Sequence, residues 1–330
     1  MIIDRATGRG GVLLASSAYV LWGLSALYWP LLRPAGTIEI LSMRVLCSLG
    51  VLVVLITAVG RWPELRAVVS APGRVRRLLL LAVAAVLTAV NWGVFIYATT
   101  HGLVVDASMG YFITPLVMVL LGVIVFRERP RRWQWVAVGI GTAGVAVLVV
   151  GYGEVPWVAL TLAATFGVYG LIKKSVGIGA VEGMTIETAV LTPLALGYVL
   201  VLQADGDATF GHVSTAHTAL MVGASAAMLA PMLMFSAAAN RIPLALVGLL
   251  QYIEPVIQFL IGLAVFAEAV GEQRWVAFGL VWIALGVLAV ESTFLPGGTG
   301  RRLGRGLVRG WRRAATSLAP DRLLVEVALE

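Results

Sequence analysis

Ten stretches of roughly 20 residues, each nearly free of charge, recur along this 330-residue chain, and no other feature constrains its fold as much. They cover 11–32, 38–59, 77–99, 104–126, 133–151, 156–173, 184–203, 216–239, 243–267 and 274–293. A hydrocarbon core about 30 Å thick is crossed by about 20 apolar residues as a helix but by only about 9–11 as a β-strand, so runs of this length predict membrane-spanning helices. Composition agrees. Hydrophobic residues make up 60% of the chain and charged residues 12%, roughly half the charged share of a soluble chain. The expected class is an all-α integral membrane protein with ten transmembrane helices.

The charges between the runs are sorted by sign and side. With a cytoplasmic N-terminus, every Lys and Arg except Arg33, Arg44 and Arg274 falls in an inner segment. That asymmetry predicts a multi-pass protein of the cytoplasmic membrane with both termini inside. The net charge of +7 then reflects topology and attraction to anionic lipid, with no nucleic-acid partner expected. The first run follows Arg5 and Arg9 but is longer than the core of a secretory signal, so it is expected to stay as the first helix. Residues 294–330 form a Gly- and Arg-rich cytoplasmic tail that either touches lipid headgroups or binds a partner.

Several chemistries find no support. Cys47 stands alone within an apolar run, which precludes an intrachain disulfide and reads as a small packed hydrophobe. His101, His212 and His217 fall in or beside outer loops without metal-ligand spacing, so neither metal nor cofactor is expected. No phosphate-binding loop and no nucleophile–base set stands out, which argues against an enzyme.

The chain repeats itself. "ITPLVMVLLGVIVFRERPRRWQWVAVG" from Ile113 aligns without a gap on "IEPVIQFLIGLAVFAEAVGEQRWVAFG" from Ile253, at an offset of 140. Pro115/Pro255, Gly122/Gly262, Phe126/Phe266, Glu128/Glu268 and Trp135/Trp275 are identical pairs. "TIE" opens both the second and the seventh span, at Thr37 and Thr185, and Trp22-Gly23-Leu24 corresponds to Tyr169-Gly170-Leu171. The expected domains are therefore one five-helix repeat over 11–151 and another over 156–293. An odd number of spans per repeat inverts the second half in the bilayer, a construction common in secondary transporters.

Polar residues inside the runs mark the expected site. Glu254 lies in the ninth run beside Gln251, Tyr252 and Gln258, where an ionised carboxylate costs about 2.5–3.5 kcal/mol at mid-helix and is suited to exchanging a proton. Pro115 and Pro255 are expected to kink their helices and free the carbonyls of Tyr111 and Gln251. Tyr111 and Thr114 on the fourth run, with Asn91 and Trp92 on the third, supply hydrogen-bonding and stacking surface on the other half; Asn91, Trp92 and Tyr111, each taken singly, fit packing better than the site. Arg44 lies about six residues inside the second run and about 140° around the helix from Glu39, so its partner is on another helix or is a substrate anion. Glu187 is divided between helix capping and the site, whereas Glu39, Glu128 and Glu268 read as structural.

"AYVLWGLSALYW", "NWGVFIYA", "ASMGYFITPLV", "FRERPRRWQW", "GMTIETAVLTP" and "QYIEP" together resemble the drug/metabolite transporter superfamily, and within it the RarD-type branch of EamA-domain proteins. The resemblance runs from about Gly11 to Ser292 and implies ten helices in two inverted EamA repeats. The resulting expectation is a secondary transporter that moves a small organic metabolite or amphipathic drug by alternating access, with proton-coupled export as the leading form. Uptake or exchange of a metabolite, and a non-transporting scaffold or sensor, remain alternatives. The expected partners are a small-molecule substrate, membrane lipid and protons, and a homodimer is compatible with the sequence.

Overall fold

The computed structural model describes residues 5–70, 72–126, 132–152, 155–239, 242 and 250–294. The basic tail, Glu128 and the first seven residues of the ninth run lie outside them. Helix accounts for nearly all of the described chain. The helices are α1 (Arg5–Leu24), α2 (Thr37–Val59), α3 (Trp62–Ser70), α4 (Arg74–Thr100), α5 (Val104–Phe126), α6 (Arg132–Tyr152), α7 (Trp157–Val176), α8 (Ala180–Asp205), α9 (Thr215–Ala239), α10 (Ile253–Ala264) and α11 (Glu272–Phe294).

Among the described residues, five segments are long and apolar enough to cross a membrane: Gly10–Leu27, Thr37–Val59, Arg74–Thr100, Val104–Val125 and Val181–Asp205. Trp157–Lys173 and Ile253–Ala264 are shorter apolar helices. Large apolar side chains on the outside, such as Leu194 and Ile124 at 74% and 72% exposure, suit a surface bathed in lipid.

Three local features depart from the sequence reading, each for a physical reason. The first run does not stay α-helical to residue 32: α1 ends at Leu24 and gives way to two 3-10 turns, Ser25–Leu27 and Trp29–Leu32. Pro30 lacks the amide needed to continue an α-ladder, and Ser25 Oγ donates to the Trp22 carbonyl at 2.6 Å, competing for the last turn. Second, the connection after α2 carries the short helix α3, none of whose residues is buried. It follows Gly60, which ends α2 at φ 72°, a conformation that glycine adopts without penalty. Third, the ninth run is not one helix, because the chain turns at Gln251–Tyr252 and a new helix starts at Ile253.

The helices pack in crossed pairs. α1 lies against α9 and α10, and α7 lies against α4 and α5. α2 contacts α9 as α4 contacts α8, while α2 meets α8, α5 meets α10 and α6 meets α11. Small residues set the closest approaches. A Cβ on Gly23 would stand 2.8 Å from Ile257 Cβ, one on Gly167 would stand 2.9 Å from Val117 Cγ1, and one on Gly144 would stand 3.2 Å from the Ala277 carbonyl. With little hydrophobic drive between helices in lipid, such contacts let backbones approach and gain dispersion energy. One buried cluster joins Trp29, Ile40, Phe95, Leu162 and Met221, and a second joins Phe112, Phe259 and Phe278, so both cores draw on the two halves of the chain.

Candidate functional site

Glu254 and Pro255 occupy the second and third positions of α10, directly after the turn at Gln251–Tyr252. The Gln251 carbonyl, expected to be freed by Pro255, instead accepts the Glu254 amide at 3.2 Å, and the Tyr252 carbonyl accepts the Val256 amide at 3.3 Å. The reason is positional. In a first turn the amide of residue three has no intrahelical partner, so proline costs nothing there, and the break supplies that first turn. Pro115 differs from its repeat counterpart, because α5 runs through it without interruption.

This placement changes the energetics of the carboxylate. Glu254 stands at the positive end of a helix dipole, worth about 0.3–1 kcal/mol at an exposed end and up to ~2 kcal/mol when partly buried. Gln258, one turn on and wholly buried, donates from Nε2 to Glu254 Oε1 at 3.3 Å, and its own Oε1 has no hydrogen-bond partner among the described residues. Glu254 remains partly accessible, as do Gln251 and Tyr252. Among the described residues no Lys or Arg forms an ion pair with it. Tyr19 on α1 is buried in a cluster with Phe235 and Ile253, beside the first turn of α10.

Across from this half-helix, α4 and α7 are tied by Asn91. Its Nδ2 donates to the Leu162 carbonyl at 3.1 Å and to Thr165 Oγ1 at 2.9 Å, and its Oδ1 accepts the Tyr111 hydroxyl at 3.3 Å. The Tyr111 ring is held edge-on by Phe95 and Phe166, with centroids 5.8 and 6.1 Å away. Thr114 is fully buried and donates to the Gly110 carbonyl of its own helix at 3.0 Å, which leaves its hydroxyl no donor for a ligand. Arg44 on α2 is buried with its guanidinium carbon 3.6 Å from the Trp92 ring centroid and 5.5 Å from that of Trp29. Trp92 is the neighbour of Asn91 in α4, so the Arg44 stack and the Asn91–Tyr111 hydrogen bond share one stretch of that helix. Tyr252 also borders an open apolar groove with Phe112, Phe259 and Trp282.

The other carboxylates are engaged elsewhere. Glu187 accepts Lys173 Nζ at 2.7 Å and the Tyr169 hydroxyl at 3.3 Å, tying α8 to α7. Glu39 accepts the Thr209 amide and hydroxyl at 2.8 and 2.9 Å and the Phe210 amide at 3.0 Å, which pins the loop before α9 to the start of α2. Glu268 caps α5 by accepting the Val104 and Val105 amides at 2.7 and 2.8 Å. Sequence reasoning passed over Tyr19, Trp29 and Glu182. Glu182, 1% exposed, forms a 2.9 Å ion pair with Arg61 whose alignment falls outside hydrogen-bond geometry. The aromatic-rich stretch "AYVLWGLSALYW" from Ala18 was the available signal for the first two.

Residues 9–150 match the EamA-like transporter family. Over 284 residues the chain is 46% identical to Protein RarD of Streptomyces exfoliatus, covering 86% of this chain and 89% of that one. It is 36% identical over 292 residues to Protein RarD of Escherichia coli (strain K12), covering 88% and 98% of the two chains. The Chloramphenicol-sensitive protein RarD of Pseudomonas aeruginosa is 30% identical over 296 residues, covering 88% and 97%. One crystal structure, 17% identical, shares the fold at a TM-score of 0.56 and covers 86% of this chain and 99% of its own.

Proposed function

This chain belongs to the EamA-like transporter family, in its RarD-type branch, and from that premise we propose that it is a secondary transporter moving a small organic metabolite or amphipathic drug across the cytoplasmic membrane. Its ten spans form two inverted five-helix repeats with both termini inside. The crossed packing supports this: when α1, α2, α4, α5 and α6 are exchanged with α7, α8, α9, α10 and α11, α1 on α10 becomes α7 on α5, and α1 on α9 becomes α7 on α4. Rocking of one set of helices against the other about that axis exposes the central region alternately to each side.

The observation that carries the reading is Glu254: a carboxylate on a helix start within the bundle, partly accessible and without a cationic partner among the described residues. The dipole and Gln258 make its anion tolerable, and protonation removes the remaining cost of burial. Solute binding shifts Glu254 between its ionised and protonated forms, and solute departure shifts it back. A group that alternates in this way couples solute movement to a proton gradient. The test is solute flux in vesicles reconstituted with the purified protein, across a panel of metabolites and amphipathic drugs under an imposed pH gradient. At least one compound accumulates against its gradient only while the pH difference lasts. Absence of flux for every compound, in vesicles shown to contain folded protein, would favour a scaffold or sensor.

A further inference from the structure

Arg44 is the buried charge that this cycle leaves without a task. It is 7% exposed, and among the described residues its Nε has no hydrogen-bond partner and no carboxylate lies within ion-pair distance of it. Trp92 covers one face of the guanidinium at 3.6 Å. Stacking uses the face of the group and leaves the N–H donors, which point outward in its plane, free to bind. A desolvated cation–π contact recovers less than the effective cost of burying a charge, so the aromatic ring compensates only part of the burial. A buried cation with an unpartnered Nε and a tryptophan covering one face is a receptor for an anion that the described protein does not supply.

We propose that Arg44 binds the anionic head of the transported solute, and that the solute is an organic monocarboxylate with an apolar or aromatic body. The inference rests on the transporter reading. A single planar fork matches the two oxygens of one carboxylate. A doubly charged phosphate would need a second cation, and the groups seen against the Arg44 guanidinium are the Trp92 and Trp29 rings. The aromatic surfaces against the guanidinium, Trp92 and Trp29, suit an apolar body.

The test is binding to the full-length protein in lipid nanodiscs, read by intrinsic tryptophan fluorescence and by the midpoint of thermal unfolding. The probes are hexanoate, benzoate and 3-phenylpropionate, each compared with its neutral amide and matching amine. At least one acid binds more than about tenfold tighter than its amide, the scale of a charge-assisted hydrogen-bond pair. Arg44→Lys narrows that preference and Arg44→Gln abolishes it. If no acid outbinds its amide in the parent, or if the preference survives in Arg44→Gln, the proposal is wrong; the parent comparison decides even if a variant does not fold. A parent that transports solutes yet shows no preference for acids overturns this inference alone. Acid binding without flux in vesicles overturns the transporter reading alone.

Discussion

Gly23 sits so close to Ile257 that a Cβ on the glycine would stand 2.8 Å from Ile257 Cβ and 3.1 Å from the carbonyl oxygen of Glu254. The missing side chain thus lets α1 pack directly on the first turn of α10, the turn that presents the carboxylate. Gly23→Val forces the two helices apart and is expected to destabilise the protein by about 1–3 kcal/mol. Gly167→Val, which meets Val117 at 2.9 Å in the reciprocal packing of α7 on α5, should behave alike. Gly50→Ala, whose Cβ would meet nothing within 4 Å among the described residues, is the control and leaves the unfolding midpoint in detergent unchanged or slightly raised.

The Glu268 cap depends on the backbone just before it. Ala267 has φ 50°, a left-handed conformation that costs a residue with a side chain roughly 1 kcal/mol, and the turn brings Glu268 back to the α5 amides. Ala267→Gly is expected to raise stability by about 0.4–1 kcal/mol or leave it unchanged, because glycine relieves the strain but frees the unfolded chain. Glu268→Gln weakens a charged cap and is expected to cost about 0.5–2 kcal/mol. Thermal unfolding of the two variants should therefore shift in opposite directions, or in the Gln variant alone.

Glu187 and Lys173 form a 2.7 Å pair in which the glutamate side chain is 6% exposed and the lysine 21%. Lys173→Met strands the carboxylate with only Tyr169, at a cost of up to about 3 kcal/mol, reduced by whatever water reaches the lysine side. The double replacement Lys173→Met with Glu187→Leu removes the orphaned charge and should recover most of that loss in the same unfolding assay. Failure to recover would mean that the pair is not mainly structural.

The topology has its own test. Tags at the N-terminus and after Ser292 should both report cytoplasm, and a cysteine placed in the 206–214 loop, with Cys47 replaced, should label from outside. That loop is held by Glu39, so Val213, which is exposed and carries none of the Glu39 bonds, is the site to use. An externally reachable C-terminal tag would be incompatible with ten spans.

How much of this was legible in the chain follows from the range of each interaction. The apolar runs and the 140-residue offset are local or repeated signals, and they located the helical segments and the pairing of α5 with α10. The start of α10 was not legible, because Pro255 within an apolar run fits an internal kink as well as a first turn; only the positions of its neighbours distinguish the two. α3 was missed because a nine-residue segment has too few apolar positions to register as a run. The fates of Glu39 and Glu268 were hidden for another reason. Their partners are some 160 to 170 residues away, so the sequence marks the carboxylates as buried helix-end groups without saying which amides they meet. Arg44 was recognisable as misplaced charge, but its stacking on Trp92 depends on how α2 packs against α4.

The most direct measurement compares Glu254→Gln with the parent in reconstituted vesicles, after equal insertion and folding are confirmed. Glutamine keeps most of the shape and can still meet Gln258 and a solute, but it cannot exchange a proton. The variant is expected to retain solute binding and solute–solute exchange while losing accumulation driven by the pH gradient. Gradient-driven accumulation at the parent rate in Glu254→Gln would contradict the assignment of Glu254 as the coupling group.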